Sequence, residues 1–201
     1  MTTDWLERFK RLGAVREGHF LLTSGLHSPV YVQCAQILQY PDEAAALGLA
    51  LAARLRDARP QVVIGPALGA VLVAHEVARA LGVRALFAER ADGRLALRRG
   101  FSLERGERVA VVEDVVTTGL TTQELVALVG EAGAHVVAVG ALIDRSGARW
   151  PLELPLRPLL TLDLPVYSAE ACPLCRDGLP VVKPGSRSAP AAPGTSQEHQ
   201  R

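Results

Sequence analysis

The sequence predicts an α/β fold with a doubly wound, mostly parallel sheet flanked by helices. Two observations support this prediction: short apolar runs typical of buried strands recur along the chain, and segments with helical periodicity lie between them. The predicted strands of this repeat are residues 62–64, 84–89, 109–112 and 136–143, and its helices are 70–81 and 121–131. Because crossovers between parallel strands are right-handed and ligands bind at the carboxyl ends of the strands, the loops after the strands should hold the functional site.

The remaining elements are predicted from local signals. A charged amphipathic segment, residues 1–17, predicts a first helix, and residues 18–33 predict two short strands joined by a polar turn. A helix over 41–57 begins with a proline and two acidic residues, which is typical of a first helical turn. The loops expected at the ligand-binding edge of the sheet are 65–69, 113–121 and 144–147.

Composition places the chain among ordinary globular proteins. Its 201 residues, 49% of them hydrophobic, suffice for one domain, which we expect over 1–183. A formal net charge of +1 gives no electrostatic reason to expect nucleic acid or an anionic membrane as a partner. The longest apolar stretch, 44–53, is too short to span a bilayer and no signal peptide precedes it, so we expect a cytoplasmic protein. Residues 184–201 carry no apolar pattern and predict a disordered tail.

The segment 109–122 predicts an anion-binding site. Four apolar residues form a buried strand, Glu113 and Asp114 follow, and a loop rich in Thr and Gly leads into a helix from Thr121. The start of that helix offers unpaired N–H groups and the positive end of the helix dipole to an anion. The two carboxylates would repel a phosphate, so they suit sugar hydroxyls or a metal ion that bridges to phosphate oxygens. Together these groups could hold a ribose 5-phosphate.

This segment resembles the signature of the type I phosphoribosyltransferases. In that family the acidic pair lies at the ribose hydroxyls of phosphoribosyl pyrophosphate, and the Thr/Gly loop surrounds its 5-phosphate. The resemblance implies that Mg²⁺ is the cofactor, held mainly through the substrate with Glu113 and Asp114 as candidate ligands, and that Asp114 is catalytic. The residues that the resemblance assigns to phosphoribosyl pyrophosphate are Arg90, Glu113, Asp114, Val115, Val116, Thr117, Thr118, Gly119, Leu120 and Thr121.

Two residues favour orotate as the acceptor base. Purine-using relatives usually carry an Asp where Thr117 stands, and a threonine cannot take a ring proton from a purine. Arg145 follows the strand 136–143, where its planar guanidinium suits a carboxylate; the alternative is a solvated arginine paired with Asp144. The chain thus resembles the orotate-using branch of the family, which implies transfer of the phosphoribosyl group to orotate in pyrimidine (UMP) biosynthesis.

The same resemblance extends to both ends of the chain. Residues 22–31 resemble the hood segment over the orotate pocket, and residues 172–186 resemble the ending of one branch of the family. The resemblance therefore divides the domain into a hood, about 1–40 plus the C-terminal segment, and a core of about 41–165. It also implies a homodimer with shared active sites.

Two further loops are expected to take part. Residues 65–69 should present backbone N–H groups to pyrophosphate, although a plain tight turn fits them nearly as well. In the family a mobile basic loop closes over the partner's active site, and residues 88–100 are the candidate. Only arginines occur there: Arg90 is the first choice for a catalytic role and Arg98 or Arg99 the second. An ordinary hairpin with solvated arginines is the alternative.

Two other functions and one metal site stay open. A purine phosphoribosyltransferase is disfavoured by Thr117, and a regulator that senses phosphoribosyl pyrophosphate and binds nucleic acid is disfavoured by the near-neutral charge. Cys172 and Cys175 have the spacing of half a zinc ribbon. Since the chain has no second cysteine pair, a structural zinc is not expected within one chain, and a cluster shared across a dimer is conceivable.

Overall fold

A six-stranded sheet organises the larger of two units into which the chain divides. The computed structural model describes residues 4–184. Within this range the sheet unit comprises residues 4–16 and 32–164, and the terminal unit comprises 17–31 and 165–184. The predicted disordered tail lies, apart from Pro184, outside the described residues.

The elements follow one another in the order helix, two strands, two helices, strand, helix, three strands, helix, two strands and helix. The helices are α1 (Trp5–Arg11), α2 (Ala35–Leu38), α3 (Pro41–Leu55), α4 (Val71–Leu81), α5 (Leu120–Glu131) and α6 (Pro173–Arg176). The strands are β1 (Val15–Leu21), β2 (His27–Val32), β3 (Val62–Pro66), β4 (Arg84–Ala91), β5 (Arg94–Ala96), β6 (Arg108–Val116), β7 (His135–Asp144) and β8 (Leu156–Thr161).

The sheet has the strand order β5-β4-β3-β6-β7-β8. Every pairing is parallel except β4 with β5, which form an antiparallel hairpin at one edge. All five residues of β3 are buried, and β6 is buried from Val109 to Glu113, as expected for strands covered on both faces. The predicted mostly parallel α/β sheet flanked by helices is therefore confirmed.

Several predicted boundaries were wrong. The first helix was expected over 1–17, but α1 ends at Arg11, Gly13 turns the chain with a φ of 72°, and β1 begins at Val15. β8 was not predicted at all: it is an edge strand with one buried residue and a proline, so its sequence lacks the apolar run that marks β3 and β6. The strand before the acidic pair is longer than expected, because β6 continues through Val116.

The two units do not follow the boundaries predicted for hood and core. Helix α1 and residues 32–40 belong to the sheet unit, whereas the hood was expected to include them. The prediction of one domain over 1–183 stays a prediction. Between residues 4 and 184, no helix is long and apolar enough to cross a bilayer.

Helices α3 and α4 approach each other closely because one of them lacks a side chain at the contact. A Cβ added to the buried Gly48 of α3 would lie 2.4 Å from the Cβ and 2.8 Å from the backbone carbon of Glu76 in α4. Such distances are far inside van der Waals contact, so any side chain at this position would push the helices apart.

We therefore expect Gly48→Ala to destabilise the protein and Gly130→Ala to stabilise it. Both glycines lie in helices, so alanine raises the helix propensity equally, by up to about 1 kcal/mol. Gly130 has nothing within 4 Å of an added Cβ, whereas overpacking at Gly48 should cost about 1–3 kcal/mol. Urea unfolding midpoints measure both effects, and equal midpoints for the two variants would contradict this account of the helix contact.

Candidate active site

The candidate site lies where the order of the strands reverses. From β3 the chain continues to β4, which lies on one side of β3, and it later returns to form β6 on the other side of β3. The loops that follow β3 and β6 therefore leave the sheet side by side at its carboxyl edge, which is where open α/β sheets bind ligands. The 65–69 loop, the end of β6 and Arg145 after β7 meet at this edge.

The loop between β3 and α4 rests directly on the end of β6. A Cβ at Gly69 would lie 2.5 Å from the Asp114 Oδ2 atom, and one at Gly65 would lie 3.0 Å from the Val112 carbonyl oxygen. The loop also contains a cis peptide bond between Ala67 and Leu68. Glycines at positions 65 and 69 are thus needed for close approach, which argues against a plain tight turn.

The acidic pair divides between two environments. Glu113 is buried, and its carboxylate accepts a hydrogen bond of 3.1 Å from the hydroxyl of buried Thr122 in α5. Asp114 is half-buried, and its carboxylate lies beside Gly69 in the loop after β3. Successive side chains of a strand point to opposite faces, which explains why two adjacent carboxylates have different neighbours.

Burial changes the acidity of both carboxyl groups. It raises the pKa of Glu113 to about 8, with a further contribution from the charge of Asp114, while the Thr122 hydrogen bond acts in the opposite sense. Burial also raises the pKa of Asp114, against the lowering effect of backbone N–H groups. Among residues 4–184, neither carboxylate has a basic partner. At neutral pH Glu113 is therefore mostly protonated, and Asp114 is the carboxylate that can bind a ligand.

The segment from Thr117 to Gly119 joins β6 to α5. Thr117 and Thr118 are exposed, and Gly119 takes a left-handed φ of 76° before the first turn of α5. A Cβ at Gly119 would also lie 2.5 Å from the Pro151 side chain. Both the left-handed φ and the lack of space therefore require glycine at this position. The N-cap residues of α4 and α5 make no side-chain cap, and neither first turn has an acidic residue. The first N–H of α4 donates to the Leu68 carbonyl and that of α5 to the Thr118 hydroxyl, so the next N–H groups of each helix are the ones available to an anion.

The other residues assigned to the loop are arranged around this turn. Val115 is half-buried and Val116 is buried, so their side chains belong to the sheet and only their backbone can face a ligand. Leu120 is 60% exposed at the first position of α5, and Thr121 is half-buried beside it. The loop therefore offers hydroxyl and backbone N–H groups rather than charged side chains.

Arg145 is anchored to the same edge through its backbone. Its N–H donates to the Val116 carbonyl at 2.8 Å, and its half-buried guanidinium has a buried Nε that bonds to no acceptor within residues 4–184. Burial and the neighbouring Arg149 both lower the pKa of Arg145. Asp144 is not its partner, because Asp144 Oδ1 accepts from the Ser146 N–H and hydroxyl at 2.7 and 2.6 Å. A buried donor without an acceptor indicates a place for an anionic ligand.

Arg90 lies near the end of β4 and faces α5 of its own chain. Its guanidinium forms an ion pair of 2.8 Å with Glu124, one turn into α5, and donates to the Gly93 carbonyl at 2.9 Å. β4 is next to β3, so Arg90 reaches the same carboxyl edge from the opposite side to Arg145.

Residues 88–100, the candidate for the mobile basic loop, contain the hairpin of β4 and β5, which packs on its own chain; the mobility of this segment stays a prediction. Residues 94–96 form β5, Leu95 is buried, and Leu97 and Phe101 pack against the core. Arg98 and Arg99 both lie within ion-pair distance of Glu89, with Arg99 at 3.1 Å. The hairpin alternative described this segment better, because alternating leucines give it an apolar face.

Three contacts at this edge were not predicted from the sequence. Thr122 binds Glu113, Gly69 makes room for Asp114, and the buried Cys34 donates from its Sγ to the Asp114 carbonyl at 3.7 Å. Burial raises the pKa of the Cys34 thiol well above its usual range, so it stays neutral. Only Thr122 carried a signal, as one of four threonines after the acidic pair; the other two contacts depend on the fold.

Comparison with known proteins agrees with this geometry. A family described as "Phosphoribosyl transferase domain" matches residues 33–153, which is more than half of the chain. The chain belongs to this family.

Within the family the chain is similar to the orotate phosphoribosyltransferases. That of Caldicellulosiruptor bescii is 52% identical over 183 residues, or 91% of this chain and 96% of that protein. The crystal structure of orotate phosphoribosyltransferase from Aeropyrum pernix has a TM-score of 0.66 at 27% identity, covering 78% of this chain and 92% of that one. Adenine phosphoribosyltransferase from Thermoanaerobacter pseudethanolicus has a TM-score of 0.65 at 18% identity, covering 78% and 99%. At 18% identity, the similarity to the adenine phosphoribosyltransferase shows the fold alone. The shared fold therefore does not determine which base this chain uses.

The raised pKa of Glu113 predicts a pH-dependent loss of stability. Between the ordinary value of 4.5 and about 8, the folded protein keeps a proton that the unfolded chain releases. The folded state binds more protons, so stability should fall as pH rises through this window, by on the order of a few kcal/mol in total. Glu113→Gln removes this contribution.

Urea unfolding of wild type and Glu113→Gln across that pH range, in magnesium-free buffer, measures the effect. The stability of Glu113→Gln relative to wild type should rise with pH and level off above about 8. Glu131→Gln, a change at an exposed glutamate of α5, should run parallel to wild type. Parallel curves for all three proteins would show that Glu113 is not protonated in the folded state.

Proposed function

We propose that this chain transfers the 5-phosphoribosyl group from phosphoribosyl pyrophosphate to orotate, giving orotidine 5′-monophosphate and pyrophosphate, in pyrimidine (UMP) biosynthesis. The observation that carries the proposal is the position of Arg145, whose unpartnered, buried Nε lies at the same sheet edge as Asp114 and the Thr117–Gly119 loop. The relatives at about half identity over most of the chain, which are orotate phosphoribosyltransferases, support the choice of substrates.

The loop at the start of α5 is the place for the 5-phosphate. The exposed hydroxyls of Thr117 and Thr118 and the uncapped start of α5 all favour an anion. Asp114 then lies where it can accept hydrogen bonds from the ribose hydroxyls. The 65–69 loop and the uncapped start of α4 face the same edge and suit pyrophosphate.

Arg145 and Thr117 suit orotate because orotate is already an anion. The guanidinium can bind the carboxylate in two parallel hydrogen bonds, and the Thr117 hydroxyl can donate to a ring carbonyl. Thr117 cannot take the proton of the attacking ring nitrogen, so that proton has to leave with pyrophosphate; purine-using relatives carry an aspartate at this position.

In the proposed reaction a ring nitrogen of orotate loses its proton to the departing pyrophosphate and forms a bond to the ribose C1, while the bond from C1 to the pyrophosphate oxygen breaks. The electron pair of that bond leaves with pyrophosphate, so positive charge develops on the ribose and negative charge on the leaving group. This step requires no nucleophile from the chain. Its contribution is to position the two substrates and stabilise charge, with Asp114 at the ribose and Arg90 toward pyrophosphate.

Asp114 suits a magnesium ion, because it is a hard oxygen ligand without a basic partner among the described residues. Glu113 points to the other face of β6, where it binds Thr122, so it would act on the same ion through its charge rather than as a ligand. One carboxylate cannot fill the octahedral shell of Mg²⁺, so the ion would be held mainly through substrate oxygens. When bound, Mg²⁺ neutralises charge on pyrophosphate.

A homodimer stays a prediction from the family resemblance. The structure gives no reason to expect that Arg90 serves the active site of a partner subunit. Arg90 pairs with Glu124 of its own chain, near the loop that it would serve. We therefore propose that each chain supplies its own Arg90.

We expect Arg145→Ala to raise the KM for orotate on the order of 100-fold while the KM for phosphoribosyl pyrophosphate stays nearly unchanged. Loss of one partner of a buried charged pair costs about 3–5 kcal/mol, and the half-buried position of Arg145 lowers this. A spectrophotometric assay of orotate consumption measures both constants. Arg105→Ala, at an exposed residue that precedes β6 and so lies at the opposite edge of the sheet, is the control.

The same assay with uracil, hypoxanthine and adenine tests the choice of base. Wild type should use uracil poorly because uracil lacks the carboxylate, and Arg145→Ala should narrow the difference between orotate and uracil. If Arg145→Ala distinguishes orotate from uracil as well as wild type does, another group must bind the carboxylate of orotate. Turnover of hypoxanthine or adenine in preference to orotate would favour a purine phosphoribosyltransferase.

We expect Asp114→Asn and Arg90→Ala each to reduce turnover strongly, because each removes charge-assisted contacts at the reacting groups. A loss of about 2–3 kcal/mol of transition-state binding is the expected size for Asp114→Asn. In a mixture of the two variants under conditions of subunit exchange, activity should not recover, since every chain then lacks one of its two residues. Recovery toward wild-type activity would show that a partner subunit supplies Arg90.

A further inference from the structure

Four side chains that can bind a metal converge inside the terminal unit. They are His19 on β1, His27 at the start of β2, and Cys172 and Cys175 around the start of α6. We name these four residues the His/Cys cluster. Their potential ligand atoms all lie within 4.8 Å of one another, and we propose that they form a structural zinc site of the Cys₂His₂ type.

The distances within the His/Cys cluster are close to those of a tetrahedral zinc site. Zinc bonds of about 2.0–2.1 Å to nitrogen and 2.3 Å to sulfur place tetrahedral nitrogen and sulfur ligands about 3.6 Å apart. The Cys172 and Cys175 Sγ atoms lie 3.6 and 3.7 Å from His19 Nε2, and Cys175 Sγ lies 3.3 Å from His27 Nδ1. The two nitrogens are 2.8 Å apart and would need to separate by about 0.5 Å.

The imidazole of His19 is held in the form that a metal requires. Its Nδ1 lies 2.8 Å from the Leu179 carbonyl oxygen, which can only accept, so Nδ1 carries the proton. In the neutral ring Nε2 then has a free lone pair, and this atom faces the two sulfurs and His27. A hydrogen bond from the second ring nitrogen to a backbone carbonyl is the usual support for a zinc-bound histidine.

Backbone pairing fixes both histidines relative to the C-terminal segment. The His19 carbonyl accepts from the Val182 N–H at 2.8 Å, and His27 exchanges two hydrogen bonds with Tyr167, of 2.8 and 2.9 Å. On the other side, Cys172 caps the short helix α6 and Gly178 turns the chain after it with a φ of 70°. The ligands are thus placed by the backbone before any metal binds.

The terminal unit has little else to hold it together. Within its described residues only five are buried, and three of these belong to the His/Cys cluster. Phe20 is the one buried residue of this group with a large apolar side chain; the fifth is Ser28. A unit of this size rarely folds on apolar burial alone, and a metal is a common substitute. Four protein ligands leave no open position, so the inferred role is structural.

This arrangement also explains why the cysteine spacing alone was insufficient. A second cysteine pair is absent, but two histidines about 150 residues earlier in the chain take its place, all from one chain. No partner subunit is needed to complete the site. The inference is independent of the proposed function, because the measurements that test it do not involve turnover.

The first test is the metal content of untagged full-length protein prepared in zinc-supplemented medium. Elemental analysis should find about one zinc per chain in wild type, as for a closed four-ligand site. Cys172→Ser and Cys175→Ser should each reduce the zinc content at least about tenfold. Cys34→Ser and His75→Ala, which change a cysteine and a histidine outside the cluster, should retain zinc.

A second measurement uses wild type alone, so that its result does not depend on whether a variant folds. Protein stripped of metal by a chelator should bind Co²⁺ with the visible spectrum of tetrahedral, thiolate-ligated cobalt, and Zn²⁺ should abolish that spectrum. Wild type without zinc and without this spectrum would overturn the proposal. So would zinc-free protein with a Cys172–Cys175 disulfide, or equal loss of zinc in Cys34→Ser and Cys172→Ser.

Discussion

The candidate active site depends on the approach of the 65–69 loop to the end of β6. This contact leaves no room for a side chain at Gly69, since a Cβ there would lie 2.5 Å from the Asp114 carboxylate. Because β3 and β6 are neighbours, α4 and α5 both start at this edge of the sheet, and Asp114 lies beside the loop that leads into α4. A larger residue at position 69 would separate the two anion-binding segments that the proposed reaction needs to act on one substrate.

The acidic pair shows how burial adapts a site to an anionic ligand. Two ionised carboxylates next to a phosphate-binding loop would oppose binding, as the sequence already suggested. In the folded chain Glu113 is buried against Thr122, and its pKa of about 8 keeps it mostly neutral. Asp114 is then the carboxylate that could serve the proposed ribose site or a cation. The fold thus removes one negative charge without removing the residue, and a bound cation could restore it.

Different interactions stabilise the two units. The sheet unit has a continuous apolar core built from β3, β6 and the helices that cover them. The terminal unit buries few side chains, and its proposed zinc would supply the cross-links that an apolar core provides elsewhere. A chain can therefore combine an ordinary α/β core with a small metal-dependent unit.

The sequence by itself determined the strands and helices that carry a strong local pattern, and the chemistry that lies within one short segment. The buried runs of β3 and β6, and the acidic pair followed by a Thr/Gly loop, are local patterns with a period or a spacing that can be read directly. Only the tertiary structure decided that Gly69 faces Asp114, that Arg90 faces its own chain, and that His19 and His27 lie beside Cys172 and Cys175. These contacts join residues far apart in the chain, and their distances depend on packing, to which no local pattern corresponds.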